Sequence, residues 1–149
     1  MKQVFKFRGK RFADHIIPGT STNIPKGTWV YSDGLVKDYF NDNVYVTQVG
    51  DPIISHVDII RVVPETVCMY LGISDMKGVE AYDGDIYINN QNGNVGVLSV
   101  DAYTGGYHVR CKEYNSEGRL VTIAPFGWLD LTDFDIIGDI FDNKELIPQ

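Results

Sequence analysis

The chain has 149 residues, of which 44% are hydrophobic and 22% charged, and its net charge is −7. This composition is typical of a folded globular protein, and the excess of acid argues against a protein that simply coats nucleic acid or anionic lipid. No apolar stretch approaches the ~18 residues of a membrane span and the start lacks the apolar run of a secretion signal, so we expect a cytoplasmic protein.

Short strands are predicted in the first half of the chain, because turn residues recur roughly every eight to twelve positions between alternating or β-branched runs. The predicted strands here are residues 5–8, 28–31, 35–36 and 44–49. Phe5 and Phe7 alternate with Lys6 and Arg8, which predicts a half-buried first strand. The turn at residues 32–34 separates two of the runs and predicts a hairpin between them.

The second half carries sharper strand signals. The predicted strands here are residues 68–71, 85–88, 95–98, 107–111, 120–123 and 134–141. Asn92-Gly93 predicts a hairpin with a type I′ turn, and Gly138 inside the last strand fits a bend or bulge of a barrel. Asn143 is expected to cap one helical turn over residues 144–146. Residues 53–63 fit either a strand or a short helix.

These patterns predict a mainly β fold with two parts. Residues 1–62 are expected to form a β-rich N-terminal part, and residues 63–149 a small barrel. Neither an internal repeat nor a low-complexity tract is visible. Cys68 and Cys111 are too few for a disulfide framework and lie in apolar runs, so we expect them to be buried thiols.

Charge is distributed unevenly along the chain. The first eleven residues hold five of the 13 basic residues and no acid, whereas residues 130–145 hold acids against the single Lys144. Such an asymmetry could pair chains head to tail, pair segments within one chain, or supply a basic patch for a phosphate backbone. Two separate solvated faces are the alternative interpretation.

Three blocks of sequence carry a resemblance to a known family. They are residues 6–11 with 29–31; residues 64–67 with Tyr70, Gly72, Asp75, Gly78, Tyr82 and 84–86; and residues 137–143 with Glu145 and Leu146. In this order and spacing the set resembles the YopX family of phage and prophage proteins. The chain departs from the family pattern in the delayed Gly34, in Asp139 where Asn is usual, and in Lys144 where Pro is usual.

The resemblance implies a phage or prophage origin, a setting in the cytoplasm of a bacterial host, and a β-rich fold whose later part is an SH3-like barrel. The departures concern turn geometry and local charge, so they leave the fold expectation in place. The resemblance supplies no activity, because the family has no assigned biochemical function.

Several patterns that suggest chemistry have a structural alternative. Asp83 and Asp85 flank Gly84 and could suggest a metal or acid–base site, but a turn that enters a strand needs the same residues. Residues 26–28, Lys-Gly-Thr, invert the order of a phosphate loop and predict a turn. The acids of residues 130–145 could imitate a glycosidase pair, which only their separation in space decides.

Hydrolase and metal patterns are equally incomplete. Ser55, His56 and Asp58 include the residue types of a hydrolase, yet on a strand Ser55 faces away from the other two, and no Gly-x-Ser-x-Gly elbow occurs. His108 and Cys111 would lie on opposite faces of a strand, so we expect no zinc site. We therefore expect no enzyme activity, no cofactor and no metal.

Cations and aromatic residues are what remain as candidates for binding. The candidate residues are Arg8, Lys10, Arg11, Trp29, Tyr70, Tyr82 and Trp128. Tyr and Trp serve as contact residues on protein surfaces. We expect a non-enzymatic protein-interaction module that binds itself or a host or phage protein. The alternative is nucleic-acid binding, with the basic first eleven residues plus Phe5 and Phe7 as the groove.

Overall fold

The computed structural model describes residues 7–16, 19, 21, 23–32, 34–37, 43–49, 57–103, 106–125 and 134–148. The described part of the chain is mostly strand and contains no α-helix, which confirms the mainly β fold. The chain divides into two compact units, Met1–Met69 and Tyr70–Gln149. The sequence predicts a boundary at residues 62–63, where an SH3-like barrel is expected to begin. That boundary stays a prediction.

The first unit is built from short antiparallel strands. They are β1 (Phe7–Lys10), β2 (His15–Ile16), β3 (Asn23–Ile24), β4 (Trp29–Ser32), β5 (Gly34–Lys37), β6 (Val44–Val49), β7 (Val57–Val62) and the start of β8 (Cys68–Ser74). Strand β1 pairs with β4 and with the first two residues of β8, β2 pairs with β3, and β6 lies between β5 and β7. A 3-10 turn covers Pro64–Thr66.

The hairpin predicted at residues 32–34 is wrong. Strand β4 pairs with β1, and β5 pairs with β6, so the two runs belong to different sheets. Residues 53–63 fitted either a strand or a short helix. Within this segment, Val57–Val62 forms the strand β7. Residues 53–56 lie outside the described part.

A close approach of two strands organises the core of this unit. A Cβ on Gly9 would lie 2.9 Å from the Cβ of Val62, so only glycine lets β1 approach β7 at this point. Val62 is fully buried, and it packs with Val30 and with the half-buried Val44 and Ile60. A side chain at position 9 would displace this contact, since well-packed cores tolerate added volume poorly.

The second unit centres on one antiparallel sheet. Its strands are the rest of β8, β9 (Glu80–Tyr82), β10 (Asp85–Asn89), β11 (Val95–Tyr103), β12 (Gly106–Tyr114), β13 (Leu120–Pro125) and β14 (Phe134–Asp139). Five of them form a curled half-barrel in the order β13-β12-β11-β10-β14. A barrel-like sheet is therefore present, and its SH3-like character stays a prediction.

The hairpin predicted at Asn92-Gly93 is confirmed, although its turn differs from the type I′ expectation. Strands β10 and β11 pair up to Ile88 and Val95, and Gly93 adopts a φ of 76°. The loop has four residues, because Asn89 N–H donates to Asn94 O and Gly93 N–H donates to Asn89 O. The longer loop leaves the Asn89 side chain in the strand, where it is buried.

The last strand contains the irregularity expected at Gly138. Ile86 pairs with Gly138 and Tyr87 with Ile136, so Ile137 is the extra residue of a β-bulge. A 3-10 turn covers Lys144–Leu146 as predicted. Asn143 does not cap it through its side chain, which instead accepts a hydrogen bond from Asp139 N–H at 3.1 Å.

One aromatic residue dominates the core of the second unit. Tyr87 is fully buried and crosses β11 at Gly96, where any Cβ would overlap its ring. The ring meets Phe134 edge to face, with centroids 5.9 Å apart. Ala81, Leu98 and Cys111 complete this cluster. The cysteine prediction is confirmed, because Cys68 and Cys111 are both buried and neither forms a disulfide.

Candidate functional site

Two cations and two aromatic residues share one face of the β1–β4 pair. The register places Arg8 opposite Tyr31 and Lys10 opposite Trp29, and directly opposed side chains lie on the same face of a sheet. The Arg8 guanidinium carbon lies 4.3 Å from the Trp29 ring centroid, and Lys10 Nζ lies 4.9 Å from it. Both distances fit cation–π contacts. We call these four residues the cationic–aromatic cluster.

Burial and hydrogen bonds restrain the two cations of this cluster. Arg8 is only 5% exposed, so the half-buried alternation predicted for the first strand fails at this residue. The Trp29 ring lies against its guanidinium. Lys10 Nζ also donates to Gly27 O at 3.2 Å. Tyr31, with 53% of its surface exposed, is the most open member of the cluster.

Other cations of the first unit lie in separate settings. Arg11 forms an isolated bridge with Val62 and is half-buried, so it does not join the cluster. Arg61 stacks over Phe12 with its guanidinium carbon 3.6 Å from the ring centroid, and it donates to Asn43 Oδ1 at 2.7 Å. Sequence reasoning missed this stacked pair, because the two residues are distant in the chain and no local pattern connects them.

A second candidate surface is the outer edge of β13. Leu120, Val121 and Ile123 are 46%, 48% and 54% exposed, although they lie in one strand of the main sheet. Strand β13 ends the sheet order, and no strand in the described part of the chain pairs with its outer side. The exposed Lys112 and Arg119 lie beside it. We call this surface the β13 edge.

The opposite edge of the same sheet, at β14, is partly closed by a carboxylate. Asp75 Oδ2 accepts a hydrogen bond from Ile136 N–H at 3.0 Å, across a long separation in sequence. Asp75 Oδ1 accepts from Lys77 N–H and Val79 N–H at 2.9 Å each, which fixes the turn that carries the carboxylate. A carboxylate against a strand edge prevents a further strand from pairing there.

A buried polar network joins β10 to β12 inside the second unit. Tyr87 Oη–H donates to Glu113 Oε2 at 2.7 Å, and Asn89 Nδ2 donates to the same oxygen at 3.2 Å. Tyr87, Glu113 and Cys111 are fully buried. Burial raises the pKa of Tyr87 well above its ordinary range, and burial raises the pKa of Cys111 to about 11.

This network holds strands together, and its groups are not presented at a surface. The acceptor Glu113 lies opposite Gly96, so the Tyr87 side chain reaches it by passing over the glycine. Among the residues that the structure describes, no group of three His, Cys, Asp or Glu side chains is arranged to hold a metal ion. The arrangement therefore explains stability and does not by itself indicate chemistry.

Comparison with known proteins identifies the chain. A family model described as YopX protein matches residues 6–148, nearly the whole length. The chain belongs to the YopX family. No curated protein matches it. The family match agrees with the resemblance carried by the three sequence blocks, and it names no activity for this YopX chain.

Several of the YopX residues that carried the resemblance hold turns in the second unit. Gly84 has a φ of 88°, where glycine is favoured, and Asp85 Oδ2 accepts from Tyr82 N–H at 2.7 Å. Asp83 Oδ1 accepts from Val100 N–H at 3.2 Å. The turn interpretation of these acids is confirmed. The turn predicted at residues 26–28 is also present, with Gly27 at a φ of 83°.

Two of the remaining sequence candidates, Tyr70 and Tyr82, lie in the second unit. Tyr70 and Tyr82 contact each other with ring centroids 5.6 Å apart. Tyr82 is 2% exposed and therefore belongs to the core, whereas Tyr70 is half-buried. Trp128 lies outside the described residues, as do Phe5, Ser55 and His56. No helix in the described ranges is long and apolar enough to cross a membrane.

Proposed function

We propose that this YopX chain is a non-enzymatic interaction module that acts through protein–protein contact, with the β13 edge as its contact surface. One observation carries the proposal: Leu120, Val121 and Ile123 expose between 46% and 54% of their surface on an edge strand. Proteins rarely leave a hydrophobic strand edge open, because it is a template for pairing with another chain.

The β13 edge suits recognition of an extended segment. A partner strand added to an open sheet edge gains main-chain hydrogen bonds, and apolar side chains beside the edge supply further contact. The partner is a protein of the bacterial cytoplasm, either a second copy or a phage, prophage or host protein. Both this setting and the phage origin come from the family resemblance, and no cofactor enters the proposal.

A second candidate function is nucleic-acid binding by the cationic–aromatic cluster. It is favoured by the shared face of Lys10, Trp29 and the exposed Tyr31, since single strands bind on aromatic side chains beside cations. Arg8 contributes less, because it is buried against Trp29. The net charge of −7 also opposes this candidate, so we rank it second.

A pull-down from bacterial lysate, run with and without nuclease, separates the two. The bait is the full chain, the edge variant is Ile123→Glu, and the cluster variant is Lys10→Ala with Tyr31→Ala. Glu at position 123 would face Lys112 across the β12–β13 pair, so the variant should fold. The proposal expects a defined, nuclease-resistant protein that the edge variant loses and the cluster variant retains.

The reverse result identifies the second candidate. Nucleic acid that is recovered with the wild type, released by added salt and lost in the cluster variant would support binding by the cluster. Recovery of the same protein by the edge variant and the wild type would reject the β13 edge as the contact surface. Circular dichroism of each variant shows whether the fold is retained.

A further inference from the structure

We infer that two copies of this chain pair through their β13 strands, antiparallel to each other, and form a closed dimer with a continuous sheet. This inference rests on the proposed function, since it uses the same edge, and it names the occupant. The two-fold axis would pass beside the middle of β13 (Leu120–Pro125). Each copy would then contribute its five-stranded sheet to one side of the axis.

The unequal edges of the sheet are the first step of the argument. At β14, Ile136 N–H is taken by Asp75 Oδ2 at 3.0 Å, so this edge cannot accept a strand without losing that bond. At β13, the register with β12 shifts at Val121, which is the extra residue of a bulge. No carboxylate of the described part takes a main-chain N–H from the outer side of this strand, and its exposed side chains are apolar. In the described part of the chain, one sheet edge per copy is left without such a contact, and one edge per copy permits a closed pair. Open chains of copies would need two open edges.

The second step is self-complementarity. With the axis at Thr122, position 120 of one copy lies opposite position 124 of the other and position 121 opposite position 123, and all four positions carry apolar residues. Burying such side chains is favourable in proportion to the apolar area removed from water. The closing Pro125 has no N–H to donate, which limits pairing to the residues before it.

The charges near the edge are compatible with this pairing. Arg119 precedes the strand, so in the antiparallel arrangement its two copies lie at opposite ends, about 20 Å apart at the rise of a strand. Lys112 lies one strand inward, and its copies would be separated by three strand spacings, about 14 Å. Both separations exceed the Debye length of about 8 Å at physiological salt, so the repulsion within these two pairs of cations is screened.

Sedimentation equilibrium of the full chain tests the inference. We expect the wild type to be a dimer and Ile123→Glu to raise the dimer dissociation constant at least about tenfold, because the charge is buried near the axis. The matched control is Ile137→Lys on β14, which changes an exposed isoleucine of the other edge beside Asp135 and Asp139. The control should remain a dimer.

Cysteine scanning gives a second readout that does not depend on the strength of the dimer. In an antiparallel two-fold contact only positions next to the axis face their own copies. Single cysteines at positions 121–124 should therefore form an intermolecular disulfide at one or two adjacent positions on mild oxidation. Ile137→Cys should form none. The native Cys68 and Cys111 are buried, and the wild type oxidised in the same way measures the disulfide formation that these two residues contribute.

Three outcomes would overturn the inference. A wild-type monomer at all concentrations, an unchanged dimer dissociation constant in Ile123→Glu, or disulfides only at position 137 each reject pairing through β13. Failure of the proposed function is separate. If the wild type is a monomer but the lysate partner is lost with Ile123→Glu, the contact surface stands and its occupant is another protein. If the edge variant changes neither property, both proposals fall.

Discussion

The hydroxyl of Tyr87 and the carboxylate of Glu113 form a fully buried hydrogen bond at 2.7 Å, and Asn89 donates to the same carboxylate. Glu113→Ala should lower the free energy of unfolding by about 3 kcal/mol, because it leaves two buried donors without an acceptor. Tyr87→Phe should cost about 1–2 kcal/mol, since only the hydroxyl is lost. Urea unfolding measures both.

The double variant supplies the control for this pair. If the two groups stabilise the fold through their mutual bond, the combined loss should be smaller than the sum by about 1 kcal/mol. Strict additivity would show that Glu113 acts through packing and not through Tyr87.

Cys111 gives a prediction on pH. Burial raises its pKa from an ordinary 9.0 to about 11, with the neighbouring carboxylate of Glu113 acting in the same direction and the hydrogen bond with Tyr87 against it. A folded-state pKa above the unfolded one means that the stabilisation is complete below pH 9 and is lost between about pH 9 and 11. Unfolding free energy should fall there by roughly 2 kcal/mol.

Urea unfolding at pH 8, 9.5 and 10.5 checks this, with Cys111→Ala as the comparison. The variant should lose less stability than the wild type over this window. Tyr87, whose pKa burial also raises, contributes in the same direction at the upper end, so the variant should keep some pH dependence. Parallel curves for the two proteins would contradict the assignment to Cys111.

At the scale of elements, strand positions were predictable and strand partners were not. Alternation and turn residues are local, and they located β6, β10 and the hairpin to β11. The false hairpin at residues 32–34 had good local signals, but the choice of partner depends on contacts that are distant in sequence. Strand β1 pairs with β4, and its Gly9 lies against Val62 of β7, a contact that no local pattern indicates.

For the candidate sites too, the residues could be predicted from the sequence, whereas the residues that lie beside them could not. Arg8, Lys10 and Trp29 were each identifiable as candidates, and only the β1–β4 register shows that they share a face. The apolar residues of β13 resemble those of any core strand, because exposure of an edge is a property of sheet order. The stacking of Arg61 on Phe12 depends on two distant segments and has no local signal.

At the scale of the whole molecule, Asp75 is expected to decide how many copies associate. Its Oδ1 holds the turn through Lys77 N–H and Val79 N–H, whereas its Oδ2 takes Ile136 N–H from the β14 edge. Asp75→Asn keeps an oxygen for the turn and places an NH₂ group against Ile136 N–H. Two donors then face each other, so the edge loses its protection while the turn remains.

With both sheet edges open, copies can add at β13 and at β14, and closed dimers should give way to larger, concentration-dependent species. Light scattering after gel filtration measures the masses, and hydrogen exchange should show the Ile136 amide losing protection by about tenfold or more. Adding Ile123→Glu to Asp75→Asn closes the β13 edge again, so the double variant should stop at a pair joined through β14. Unchanged exchange at Ile136 and an unchanged mass for Asp75→Asn would show that the carboxylate is not what limits growth of the sheet.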